Sequence, residues 1–368
     1  MSTVRVLKFG GSSFTELSDY RRVAEHLMSS VRETGGPVVA VVSAMPGETE
    51  ALRDRLSTVN PTASEAGTAG LLTLADVVSA QLLSEAVIAV GGRAVALPPH
   101  RNGIVTNRIW MWARIDRLDP SPVRDALAGH DVVVIPGGPA ADDVGMPTWM
   151  GKNSSDLAAV ATAAGLGLPE CEIHSDVTGV YSADPRLVRD AEPLPVVSYD
   201  TAARLSALGA KVLHRRSVLL AKQLDVRIVC RGNRSPFEPG TTITYSAPPV
   251  SSVVIDLKSD LIGFDDAETT QLAQAALADN GVHAIIPSDL DRSLLAVVGS
   301  YSTPTRYLDR AGIRYHPRRG RLVSLVEGNS VRSHVADSDD EAVRLGRALH
   351  SARRAGNHNR PELIKGIR

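Results

Sequence analysis

Aromatic side chains are scarce, at 4% of the 368 residues. The cores must therefore rely on Val, Leu, Ile and Ala, which suits buried strands covered by Ala-rich helices. Cysteine is rarer still, with two residues, Cys171 and Cys230. Each sits in an apolar run, CEIHSDV and VRIVC, where a buried reduced thiol is the simplest reading. Two widely spaced cysteines make neither a zinc site nor a case for an oxidising compartment. A charge surplus is also missing: 40 basic and 41 acidic side chains give a net charge of -1. No global field favours nucleic acid or an anionic membrane. The only lopsided stretch is the basic tail from Arg353 to Arg368, read as a frayed terminus. The opening MSTVRVLKFGG has no apolar leader segment and no window resembles a membrane span, so a cytoplasmic location is expected. A Walker A pattern and a GxGxxG after a strand are both absent, which disfavours P-loop enzymes and Rossmann dehydrogenases.

What is present is a strand–helix rhythm. Apolar residues make up 43% of a chain long enough for two domains. Val4–Phe9 reads as a strand, Gly10 to Ser13 as a tight loop, and Leu17, Tyr20, Val23, Ala24, Leu27 and Val31 as a helical face. Further strands are predicted at Val38–Ser43, Ala94–Leu97, from Asp131 through DVVVIP, at CEIHSDV and at VRIVC. Helices are predicted over Ala69–Val90, through Ala158–Ala164 with Ser154 and Ser155 as caps, and over Tyr199–Leu208. This pattern argues for a mostly parallel sheet sandwiched by helices. SAPP, Ser246–Pro249, reads as a linker. Beyond it, strands at Ser252–Leu257, His283–Pro287, Leu294–Gly299 and Leu322–Glu327 alternate with helices at Glu268–Asp279, Pro304–Ala311 and Asp340–Arg354. That order resembles ferredoxin-like βαββαβ modules. The expected division is a first domain over 1–248, a second region over 249–355, and a flexible tail over 356–368.

Three polar, glycine-bearing loops follow predicted parallel strands: Lys8-Phe9-Gly10-Gly11-Ser12-Ser13, Ser43 to Thr49, and Gly137-Gly138. Ligands of open α/β sheets bind at that edge, and glycine turns offer free backbone N–H groups to phosphate oxygens. Taken singly, each could be a plain turn with Lys8 as a surface charge. Their convergence is the stronger signal.

Five separated segments then resemble aspartate kinases: KFGGSSF, VVSAMPGETE, SDVTGVYSADPR (Ser175–Arg186), LGAKVLH (Leu208–His214) and PGTTI (Pro239–Ile243). The resemblance spans residues 1–245 and implies the amino-acid-kinase fold followed by ACT-type modules. Carried over by position, it implies that Lys8 and Lys211 stabilise charge on the transferring phosphoryl group and that Asp156 organises the site. It implies that Gly10, Gly11 and Ser12 face the phosphates. Ser175, Asp176, Tyr181, Asp184 and Arg186 would hold the nucleotide, and Ser43, Thr49, Asp76, Lys152 and Ser155 would face the amino acid. ATP would be the donor, with Mg²⁺ bridging its phosphates and keeping mostly water as its other ligands, so no protein metal ligand is assigned. The ACT-like region would join copies of the chain into a homo-oligomer.

Plainer readings stand beside these. Asp176 and Asp184 could cap turns, Arg186 could pair with either, Tyr181 could be core, and Lys211 could be a helix-surface charge. The departures from the family cluster on the substrate side. RGGSD becomes Lys152-Asn153-Ser154-Ser155-Asp156, which loses the bidentate guanidinium. STGE becomes Thr73-Leu74-Ala75-Asp76, and HGNAR becomes Met111-Trp112-Ala113-Arg114. Trp112 and Trp149 could line the pocket, or pack against the core or a dimer interface. The turn Gly263-Phe264-Asp265-Asp266-Ala267 lacks the Pro-Gly pair usual in ACT effector sites. The leading expectation is phosphorylation of the side-chain carboxylate of aspartate or a close relative. The alternatives are a catalytically weak paralogue acting as a ligand-binding or regulatory subunit, and a kinase of the same fold with a different acceptor.

Overall fold

The computed structural model describes residues 4–210, 213–287, 289–298 and 304–354. Lys211, the Gly299 end of the strand predicted from Leu294, and the basic tail 356–368 lie outside the described residues. The chain forms two compact units, Met1–Gly179 with Val212–Tyr245, and Val180–Lys211 with Ser246–Arg368.

In the first unit the strand Arg5–Phe9 lies between Val38–Val42 and Glu170–Ser175, parallel to both. Val132–Pro136 and Ala94–Ala96 extend the sheet on one side. Arg227–Gly232 extends it on the other, followed by antiparallel Pro239–Thr244. VVAVV and VVVIP are buried at every position, as expected of parallel strands covered on both faces. Side-chain alternation divides the faces. Leu7, Phe9, Val38, Ala40 and Val42 join a core with Val23, Ala24 and Leu27 of the helix Ser18–Thr34 and Leu83 and Val87 of the helix Glu65–Ala89. Lys8 points to the opposite face, where the helix Ser155–Leu166 lies.

The helix Glu65–Ala89 corrects one expectation. It is long and apolar enough to cross a membrane by length and composition. Its buried Leu83 and Val87 instead cover the sheet, and its Leu72 packs with Trp149. The helices Glu48–Val59, Ser121–Gly129 and Arg215–Leu224 stand outside the elements expected from sequence. So too a small sheet in the order Ile115–Leu118, Ile104–Thr106, Pro139–Ala141, Pro147–Trp149.

The second unit contains a βαββαβ module running Asp260–Gly263, Ala267–Asp279, Ala284–Ile285, Leu294–Val297, Thr305–Arg310 and His316–Arg318. Its sheet neighbours are all antiparallel. The module is inserted into a second sheet, in which Ser251–Asp256 pairs with Arg321–Glu327 and that strand with Ser330–Ala336. The strand before the Gly263–Ala267 turn is therefore Asp260–Gly263. The predicted Ser252–Leu257 strand belongs to the other sheet.

A single cut near residue 248 does not describe the chain. Ala183 and Val188 share a core with Val253, Ile255, Val323 and Leu325, and the Val253 N–H donates to the Ser182 carbonyl at 2.8 Å. The loop that carries Tyr181, Asp184 and Arg186 thus belongs to the second unit.

A buried aromatic cluster under the first sheet carries a pH signature. His174 stacks on Phe9 at 4.5 Å between ring centroids, and His26 stacks on Phe237. Burial, followed by the neighbouring His26, lowers His174 to about 3; burial, followed by the Arg5 charge, lowers His26 to about 4. Both folded values lie below the free imidazole value of 6.5. The stability these rings contribute is present above pH 6.5 and is lost as pH falls from there toward the folded values. Urea unfolding should show a loss of about 2 kcal/mol from His174 between about pH 7.5 and pH 5. His174→Phe, which keeps the stack, should flatten that loss. An unchanged acid dependence in the variant counts against this assignment.

Candidate active site

The C-terminal ends of the parallel strands bring several sequence-predicted residues into one cluster. Lys8 is next to last in its strand, and its Nζ lies 2.7 Å from Asp156 Oδ1. The two side chains are 11% and 7% exposed, so the pair is shielded from solvent. Such shielding makes each charge dependent on the other. Asp156 lies in the first turn of Ser155–Leu166, and its Oδ2 accepts the His214 backbone N–H at 3.1 Å. That bond joins the start of Arg215–Leu224 to the same carboxylate.

Gly10 and Gly11 follow Lys8 closely. A Cβ on Gly10 would stand 3.0 Å from Lys8 Nζ, and one on Gly11 would stand 3.0 Å from the Ala44 carbonyl. A larger residue would fill the space beside the ammonium group. Ser43 Oγ donates to Ser155 Oγ at 2.9 Å, linking the end of Val38–Val42 to the helix that carries Asp156. Gly137 is packed so tightly against Ser155 and the Val42 carbonyl that a Cβ has no room there.

Asp76 ties two of the strand-end loops together. Its Oδ1 accepts the Ala44 N–H at 2.6 Å and its Oδ2 the Gly138 N–H at 2.8 Å. Burial pushes this carboxyl up to about 6, against the pull of those two donors and the Lys8 charge. Trp149 reaches the same corner, since a Cβ on Gly138 would be 2.7 Å from both Asp76 Oδ2 and Trp149 Nε1. Trp149 is nevertheless buried with Ala69 and Leu72, as the core reading had it. Trp112 lies against Gly151, whose φ of 102° suits glycine.

The substrate-side loop differs from its expected form. Ser154 does not cap the helix: its hydroxyl donates back to the Gly151 carbonyl at 2.6 Å, and the Ser155 hydroxyl is engaged by Ser43. Asn153 adopts a φ of 62°. Lys152 pairs with Glu50 of Glu48–Val59, and this bond holds the Glu50 carboxyl below the usual range. Thr49 lies in the first turn of the same helix.

The expected nucleotide loop is divided between the units. In the first, Ser175 Oγ accepts the Val177 N–H at 3.2 Å and donates to Asp176 Oδ1 at 3.3 Å. In the second, Asp184 accepts the Arg186 N–H at 3.0 Å and pairs with its guanidinium at 2.9 Å, while Tyr181 bridges Pro193. The Asp184 cap and its pairing with Arg186 are what the plainer reading names, while at the other turn the capping side chain is Ser175. Lys211 lies outside the described residues.

Sequence reasoning missed Glu50, Arg216 and Asn233. Arg216 donates to the Met150 and Ala113 carbonyls, both at 2.9 Å, and so braces the Lys152 loop. Asn233 contacts both serines of the glycine loop. It stands three residues past the predicted VRIVC strand, with nothing in the local spacing to mark it. No group of three or more His, Cys, Asp or Glu side chains among the described residues is placed to hold a metal ion.

The sequence profile of the amino acid kinase family matches residues 3–232. The chain belongs to the amino acid kinase family. Curated relatives include the aspartokinase of Thermus thermophilus, 36% identical over 285 residues, covering 75% of this chain and 70% of the relative. The aspartokinase of Helicobacter pylori is 35% identical over 272 residues, covering 72% of this chain and 67% of the relative. By this kinship the chain is a phosphotransferase of the aspartokinase type. Among solved structures, E. coli aspartokinase III in complex with aspartate and ADP superposes with a TM-score of 0.72 at 18% identity, over 95% of this chain and 99% of that one. The Synechocystis aspartate kinase gives 0.59 at 26% identity, over 89% of this chain and 60% of that one. The α/β family fold with its ACT-like antiparallel sheets agrees with the sequence expectation.

The buried pair makes a stability prediction. Asp156→Ala would strand the Lys8 ammonium in a shielded place and should cost about 3 kcal/mol in urea unfolding. Lys8→Met combined with Asp156→Leu should recover most of that loss. A double variant no more stable than Asp156→Ala would refute the pairing energy.

Proposed function

We propose that this chain transfers the γ-phosphoryl group of ATP to the side-chain carboxylate of aspartate or a close relative. A carboxylate oxygen forms the new bond to the γ-phosphorus. The bond to the β–γ bridging oxygen breaks, and ADP leaves with that electron pair. No general base is required, because the acceptor carboxylate is already ionised at neutral pH. Catalysis then reduces to positioning and charge stabilisation.

The observation that carries the proposal is the shielded Lys8–Asp156 pair beside a loop of two glycines at the sheet's C-terminal edge. A lysine held there can neutralise charge spreading onto the transferring group, and Asp156 holds it in position. Gly10, Gly11 and Ser12 face the phosphates in this reading. Lys211 and the Ser175, Asp176, Tyr181, Asp184 and Arg186 set complete the nucleotide assignment by kinship. The related E. coli aspartokinase III, solved in complex with aspartate and ADP, supports this choice of reactants. Mg²⁺, held through the ATP phosphates and water, would supply further charge neutralisation.

On the acceptor side, Ser43, Ser155, Asp76, Thr49 and Lys152 surround the amino acid. Lys152 takes the α-carboxylate in exchange for Glu50, and Asp76 faces the ammonium group. The ACT-like modules are assigned to pairing copies of the chain, on the support of their βαββαβ order.

Hydroxamate formation tests the reaction directly. The chain with ATP, Mg²⁺ and hydroxylamine should yield a hydroxamate from aspartate or another acidic amino acid, and Lys8→Ala should lower the rate about a hundredfold or more. No hydroxamate with any acid of the panel would favour the ligand-binding or regulatory reading. Full activity in Lys8→Ala would show that Lys8 has no catalytic part.

Asp76 adds a pH dependence. Its carboxyl, pushed up to about 6, loses its negative charge as pH falls through that value. The KM for the acceptor should therefore rise below about pH 6. In Asp76→Asn it should be high and flat across the same range. A variant that keeps the wild-type pH profile removes Asp76 from acceptor binding.

A further inference from the structure

We infer that Asn233 is a positioning residue for the phosphate-facing loop, fixing the direction in which the Ser12 hydroxyl donates. This inference rests on the kinase reading above.

Asn233 directly follows the strand Arg227–Gly232 and is 2% exposed. Its Nδ2 lies 3.1 Å from Ser12 Oγ and 3.3 Å from Ser13 Oγ. A side-chain amide nitrogen carries two hydrogens, so one group serves both serines of the loop. The Asn233 backbone N–H donates to the Ser175 carbonyl at 2.8 Å. One buried residue thus joins the ends of Arg5–Phe9, Glu170–Ser175 and Arg227–Gly232.

A further layer holds Asn233 itself. Arg22 donates from Nη1 to the Asn233 carbonyl and from Nη2 to the Ser13 carbonyl. Arg22 is in turn paired with Asp19 at 2.7 Å. Asp19 also accepts the Thr15 N–H at 2.8 Å and its hydroxyl at 2.9 Å. Burial alone would raise the Asp19 carboxyl, but the bonds from Arg22 and Thr15 bring it down to about 2. It therefore stays charged wherever the protein is folded and active, and Arg22 keeps its anchor.

The chemistry follows from polarity. Ser12 Oγ accepts a hydrogen from Asn233, so its own hydrogen must point elsewhere. Beside Gly10 and Gly11, which leave open space next to the Lys8 ammonium, that hydrogen is available to an anionic phosphate oxygen. Loop donors held in advance lose little freedom on binding, which is where positioning contributes to affinity.

Asn233→Asp has nearly the same shape and reverses the polarity, so Ser12 would donate into the new carboxylate. The KM for ATP should rise about tenfold or more, the worth of one hydrogen bond to a charged group. The KM for the acceptor should stay within about twofold. Asn233→Ala, which removes the donor without reversing it, should raise the ATP KM less. In a Ser12→Ala background, Asn233→Asp should add little further. Arg22→Lys keeps the charge beside Asp19 but gives up the two-carbonyl bridge. It should show the same split between ATP and acceptor, and it serves where an Asn233 variant does not fold. An ATP KM left unmoved by Asn233→Asp, or by Arg22→Lys in its place, overturns the role, as does a rise shared equally by both substrates. A wild-type chain that is inert in the hydroxamate assay overturns the functional reading and this inference together. An active wild type with an unmoved ATP KM in the variant overturns only the inference.

Discussion

The Lys8–Asp156 ion pair fixes the rest of the first unit's geometry. Lys8 sits between Leu7 and Phe9 near the end of its strand, and it lies on the face opposite their core. Its charge is tolerable there because Asp156 meets it from the helix that covers that face. The same carboxylate takes the His214 N–H, so a second helix is anchored by one residue. An apolar pair of equal volume would satisfy packing, and such replacements are often neutral or stabilising. Retaining two charges in a shielded position is therefore most economically explained by chemistry.

Around that pair, a few polar residues hold the strand-end loops in place. Asp76 accepts one N–H from each of two loops, Arg216 donates to two carbonyls, and Asn233 reaches three strand ends. Asp76 and Arg216 give partners to polar groups of irregular backbone. Asp76 and Arg216 are themselves carried on helices, which vary less in position than loops do.

The first unit's sheet was largely legible. VVAVV and VVVIP are too uniformly apolar for surface strands, and the glycines after them mark the ends where loops gather. Lys8, Ser43, Asp76, Ser155 and Asp156 were all named from sequence and do converge. What escaped has physical reasons. Glu48–Val59 buries no residue, so its sequence carries no apolar stripe. The strands around Thr106 and Trp149 are three residues long, too short for alternation to register. Asn233 was invisible because its partners, Ser12 and Ser13, lie at the other end of the first unit's sequence. The second unit's nesting was hidden for the same cause, since Ser251 pairs with Glu327 across an entire intervening module.

That nesting has a consequence for how the chain is made. Ser251–Asp256 leaves the ribosome long before Arg321–Glu327 is available to pair with it, while the inserted module can close on its own local contacts. Sheet pairing across such a separation bears the larger closure entropy and comes late. During synthesis the early strand, apolar at Val253, Val254 and Ile255, is left with an unsatisfied edge. The interval between those two strands is where a nascent chain of this design is most exposed to pairing with the wrong neighbour.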